Sequence, residues 1–204
     1  PHLFSSAASD VYKRQTYPFS TAGDTEAVLA VHRSAITAHT TLTAREHASW
    51  LSNLDGMYAI ALWNPATQEL ILARDPMGIK PLVRTTVENS LMFASEIKAF
   101  QAHEAHRPVL DDVAMAARLV WEYPLDGTTL LKGVQQVRPG TVERWTLTDS
   151  GSPVLLDVAN IERQALAPSG SWNPDTQASA LLESFVEGVQ QRLMADVPVG
   201  ICLL

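Results

Sequence analysis

The chain has 204 residues, 46% hydrophobic and 18% charged, enough for one large domain or for one domain plus part of a second. A formal net charge of −7, a pI near 5.3 and the lack of any basic run argue against a nucleic-acid-binding surface. No apolar stretch approaches the ~20 residues of a membrane helix, and the N-terminus lacks a signal-peptide pattern. The single cysteine, Cys202, excludes an internal disulfide and points to a reducing, cytoplasmic setting.

Residues 1–15, PHLFSSAASDVYKRQ, show neither strand alternation nor helical periodicity and are expected to be disordered or foreign to the gene product. From Thr25 to Ala38, Val28, Leu29, His32, Ala35 and Ile36 recur at helical spacing, with Asp24 placed as N-cap. A second helix is predicted over residues 44–54, ended by Asp55-Gly56. MYAIALW, residues 57–63, is apolar throughout and predicts a strand buried on both faces. After the Asn64-Pro65 turn, ELILARD returns as the second arm of a hairpin. SLMFASE, residues 90–96, predicts a third strand beyond the Asp75-Pro76-Met77-Gly78 turn.

The Asp pair at 111–112 starts a helix that runs to Glu122. Short strands are predicted near 128–131 and over 141–147, on either side of Pro139-Gly140. Residues 149–172 are rich in Ser, Gly, Pro and Ala and predict a linker. Asn173 caps a last amphipathic helix with Pro174 at its first position. VPVGICLL then predicts a buried strand.

Few residues announce chemistry by themselves. His103 and His106 are too close for a helical pair of metal ligands, and Cys202 lies in an apolar run where a buried thiol is inert. The ARDPMGIKPL segment predicts a rigid turn that holds two sheets together. Arg74 and Asp75 there can pair with each other or with the backbone, and Gly78 and Pro81 fix the backbone.

Three segments, LDGMYAIALWN, ELILARDPMGIKPL and LMFASEIKAF, succeed one another within about fifty residues, preceded by GDTEAVLAVH at 23–32. Together they resemble the glutaminase domain of class II glutamine amidotransferases. The phosphoribosylpyrophosphate amidotransferases share the ARDPMGI-x-PL segment. DGTTLLKGVQQVRPGTVERW and LLESFVEGVQQRLMADVPVGICLL, however, resemble the asparagine synthetases. The resemblance implies an α+β fold, a four-layer αββα sandwich of the N-terminal-nucleophile type, followed by the first helix and strand of an α/β nucleotide-binding domain. It divides the chain into the segment 1–15, an amidotransferase domain at 16–150 lacking its N-terminal part, a linker at 151–172 and the start of an ATP-binding domain at 173–204.

The activity implied for the full-length protein is ATP-dependent amidation of aspartate with ammonia released from glutamine. ATP and Mg2+ would serve as cofactors, glutamine, aspartate and ATP as partners, and a homodimer is compatible with it. The resemblance implies that Asp24 is the position that holds the glutamine α-ammonium, where a carboxylate would supply charge-assisted hydrogen bonds. Leu204 is the residue before the pyrophosphate loop, whose backbone touches the nucleotide. No catalytic residue and no metal ligand is assigned in this chain. The family's N-terminal cysteine, carboxylate-gripping arginine and oxyanion-hole Asn-Gly pair have no counterpart here, so the chain as given is expected to be an inactive fragment. Val83-Arg84 also replaces the usual aromatic pair after GIKPL. A relative acting on another carboxylate (β-lactam or peptide-cyclising type) and a non-catalytic glutaminase-like binding domain are the alternatives.

Overall fold

The computed structural model describes residues 17–21, 23–36, 41–123, 125–162, 173–190, 193, 198 and 200. Two helices come first, α1 (Asp24–Ala35) and α2 (Ala44–Leu51). Strands β1 (Ala59–Asn64) and β2 (Glu69–Arg74) form the expected antiparallel hairpin. Next come β3 (Val83–Val87), β4 (Ser90–Ala94), a 3-10 helix (Ile97–Ala102) and α3 (Asp112–Trp121). The chain continues through β5 (Gln135–Gln136), β6 (Thr141–Leu147), β7 (Pro153–Asn160) and α4 (Pro174–Gln190).

The strands make two antiparallel sheets, one ordered β1-β2-β6-β7 and the other β4-β3-β5. Period-2 alternation sends the two central strands of the larger sheet, β2 and β6, into two different cores. Ile71, Ala73 and Val142 face the helices and meet Val31, Ala48, Trp50 and Leu51. Leu72 and Trp145 face the second sheet and meet Leu82 and Val137. Beyond the second sheet, Val83 and Val134 close on Phe100 of the 3-10 helix. The described residues thus stack as α, β and β layers with a 3-10 helix on the far side, the α+β sandwich that the resemblance implies.

Several local expectations need correction. The N-cap of α1 is Gly23, in extended conformation, and Asp24 is the first helical residue. Leu29 and Ala35 lie on its exposed side, while Ala30, Val31 and His32 are buried. β1 is not buried on both faces: among the described residues it is an edge strand paired with β2 alone, and Trp63 is 50% exposed. Residues 128–131 make isolated bridges instead of a strand, and the pairing falls on Gln135–Gln136. β3 was not anticipated, because Arg84, Thr85 and Thr86 interrupt the apolar pattern.

The largest correction concerns the linker expected over 151–172. Residues 153–160 are a strand of eight residues that completes the larger sheet, in register with β6 from Thr141↔Asn160 to Leu147↔Pro153. A bulge leaves Leu156 as the extra residue between the Arg144↔Asp157 and Trp145↔Leu155 pairs.

Other expectations hold. The Asp111 carboxylate caps α3, accepting the backbone N–H groups of Val113 and Ala114 at 3.0 Å each. Asn173 accepts the Asp175 N–H at 3.0 Å and opens α4. Leu181, Leu182, Phe185, Val186 and Val189 of α4 are exposed. The strand predicted at the end of the chain lies almost wholly outside the described residues.

Candidate functional site

The start of α1 is tied down by one carboxylate. Glu26, in the first turn, turns back toward the segment before the helix. Its Oε1 accepts the Ser20 backbone N–H at 2.8 Å and the Ser20 hydroxyl at 2.9 Å. Its Oε2 accepts the Thr21 N–H at 2.6 Å and the Thr21 hydroxyl at 2.5 Å. The Thr21 hydroxyl in turn accepts the Gly23 N–H at 3.2 Å. The Ser20 backbone N–H, then the Thr21 hydroxyl, hold the Glu26 carboxyl down at about 2.

This clamp fixes Ser20, Thr21 and Gly23 at the positive end of the helix, where Asp24 stands as the first residue. Sequence reasoning named Asp24, the first residue of this helix, and did not name Glu26. Its signal was the Gly23-x-x-Glu26 spacing of an N3 carboxylate.

The ARDPMG segment is a structural corner. Asp75 is 1% exposed; its Oδ1 accepts the N–H groups of Met77 and Ile79, and its Oδ2 that of Lys80, at 3.0–3.1 Å. Arg74 donates to the carbonyls of Lys80 and Gly78 at 2.8 Å. It also reaches Val137 and Gln136, in and beside the second sheet, at 3.0 and 3.2 Å. Arg74 and Asp75 therefore bond to the backbone, and the turn joins the two sheets as the sequence suggested.

Arg84, in place of an aromatic residue, donates to Glu143 at 2.5 Å and lies over the Trp145 ring, 4.9 Å from its centroid. Trp145 Nε1 donates to the same Glu143 oxygen at 2.9 Å. On the helix side of the larger sheet, Arg144 bridges Glu69 at 2.6 Å and Asp157 at 2.7 Å. Asp157 also accepts the Ala44 N–H at 2.9 Å, pinning the start of α2 to β7.

Residues 7–152 fit the glutamine amidotransferase domain model. The chain belongs to that family.

The chain is 28% identical over 184 residues to asparagine synthetase [glutamine-hydrolyzing] 1 of Bacillus subtilis, covering 90% of the chain and 26% of that relative. It is 31% identical over 191 residues to a putative asparagine synthetase of Mycobacterium bovis, covering 89% and 26%. It is 32% identical over 157 residues to amidase chry2 of Gibberella zeae, covering 76% and 22%. The chain spans about a quarter of the length of these relatives. Among solved structures, the glutamine phosphoribosylpyrophosphate amidotransferase of Bacillus subtilis overlaps 76% of the chain and 26% of its own, at 21% identity and a TM-score of 0.47.

Of the two sequence-predicted site residues, α1 places Asp24, and Leu204 lies outside the described residues. Among the described residues no group of three or more His, Cys, Asp or Glu side chains could hold a metal. No described helix is long and apolar enough to cross a membrane.

Proposed function

We propose that this amidotransferase domain binds glutamine at the start of α1, with Asp24 holding the α-ammonium. The full-length protein then uses the released ammonia to amidate aspartate at the expense of ATP. The observation that supports the binding role is the ordered helix start, in which Glu26 fixes Ser20, Thr21 and Gly23 around the Asp24 position. An ammonium leaving water requires a charged acceptor, and a carboxylate on a pre-set backbone provides one without further ordering.

Similarity to glutamine-hydrolysing asparagine synthetases over 82–90% of the chain supports the ligase reading. In that reading ATP and Mg2+ are used by a domain downstream, where the Leu204 backbone would border the nucleotide. The similarity to amidase chry2 supports a second reading, in which the same domain serves a different acceptor.

The test is Asp24→Asn in the full-length protein. Removing one charged partner of a desolvated pair costs ~2–5 kcal/mol, so the KM for glutamine should rise roughly 30-fold or more. Synthesis from free ammonia should be unchanged. Unaltered glutamine kinetics would remove Asp24 from the binding site. Supplying aspartate and other carboxylates in turn with amide-labelled glutamine identifies the acceptor.

A further inference from the structure

Between α1, α2 and the larger sheet lies a buried seam that the glutamine reading does not use. His32 of α1 is 7% exposed and His47 of α2 is 4% exposed. Their rings stack with centroids 5.7 Å apart and planes 17° apart. Trp50, also buried, donates its indole N–H to His47 Nδ1 at 3.1 Å. Indole nitrogen can only donate, so this bond requires a lone pair on Nδ1 and therefore a neutral His47 with its proton on Nε2. His32 Nδ1 is buried without a hydrogen-bond partner among the described residues. Both rings border a small cavity that Asn64 and Glu69 also line.

We propose that His32, His47 and Trp50 form a proton-sensitive latch that seats α1 on α2. It holds while His47 offers a lone pair to Trp50 and releases when that nitrogen takes a proton. Protonation turns the acceptor into a donor aimed at another donor, and it places a cation against the His32 ring in a buried site. The groups facing the pair are Glu46 of α2, Glu69 of β2, Arg144 of β6 and Asp157 of β7. All three carboxylates are already engaged, Glu46 by Thr43 and the other two by Arg144. Burial, then His32 and Arg144, outweigh the pull of Asp157 and Glu46 and hold His47 down at about 4. Burial pushes His32 down as well.

α1 is the element that moves. It packs mainly on α2, and its buried residues are Ala30, Val31 and His32, whereas α2 is anchored to β6 and β7. Opening the seam frees His47 to titrate near its ordinary 6.5. Through His47 the opening constant then grows up to about tenfold for each pH unit between 6.5 and 4, and His32, also pushed down by burial, adds to that slope. Asp24 rides on α1, so glutamine docked there would be lost in the same window.

Amide hydrogen exchange on the 204-residue chain between pH 4.5 and 7.5, corrected for the intrinsic pH dependence of exchange, tests the latch whether or not glutamine binds. Protection of α1 should fall about tenfold or more from pH 6.5 to pH 5, with β2 and β6 unchanged. His47→Asn sets an amide oxygen near the Nδ1 position as a non-titrating acceptor and should make the profile clearly shallower, leaving only the part that His32 contributes. Should that variant not fold, the parent profile decides by itself. Constant protection of α1, a loss shared equally by β2 and β6, or a profile unchanged in His47→Asn would each overturn the proposal.

Discussion

Gly78→Ala measures how tightly the ARDPMG corner is built. Gly78 sits at φ +63°, and a Cβ there would stand 2.7 Å from Pro139 Cγ, 3.1 Å from Pro139 Cβ and 3.3 Å from Arg74 Cζ. The left-handed backbone alone costs alanine ~1 kcal/mol. The clash adds ~1–3 kcal/mol, because Pro139 is a stiff ring. Its neighbour Gly140 donates to the Asp75 carbonyl at 2.9 Å, so the ring cannot shift without disturbing the corner.

Loss of stability should therefore be ~2–4 kcal/mol. The assay is urea unfolding of the parent and variant with the denaturant slope checked for constancy. Gly151→Ala is the control, since Gly151 has a similar φ of +80° but nothing within 4 Å of its Cβ. It should lose only ~1 kcal/mol. Equal losses at the two positions would refute the claim that Pro139 and Arg74 pack the corner.

Other contacts lead to three more expected outcomes. Glu143→Ala should destabilise by ~3–5 kcal/mol, because it strands the mostly buried Arg84 guanidinium and the Trp145 N–H. Replacing the pair together by Arg84→Met and Glu143→Leu should cost clearly less, and a double-mutant cycle by urea unfolding checks this. Thr43→Ala removes the α2 capping box, in which Thr43 Oγ1 accepts the Glu46 N–H and Glu46 accepts the Thr43 N–H. A loss of ~1 kcal/mol in thermal unfolding is expected. Glu26 is held below its ordinary 4.5 at about 2, so its clamp is fully present above pH 4.5 and is lost as the pH falls through 2. The Ser20 and Thr21 amide resonances should move over that range, and Glu26→Gln should remove the transition.

The sequence by itself determined the elements whose signal is local, and it determined the family. The Asp111 cap, the β1–β2 hairpin across Asn64-Pro65 and the ARDPMG turn all depend on neighbours a few residues away. Segments in fixed order then identified the amidotransferase fold, because several loose matches in the right order are far more restrictive than any one of them.

Tertiary structure decided what depends on distant pairing. β7, PVLLDVAN, sits inside the 149–172 segment whose overall composition reads as a linker, and β6 offers it an edge; β1 stays half exposed because its other side has no partner among the described residues. Arg144 finds Glu69 seventy-five residues away, and Arg84 finds Glu143 across two sheets. His32 and His47 gave no sign of meeting, since a lone histidine on an apolar helix face has the same periodicity whether or not another ring stacks on it. Strand context and cross-element contacts are set by the packing of the whole chain, which local periodicity does not encode.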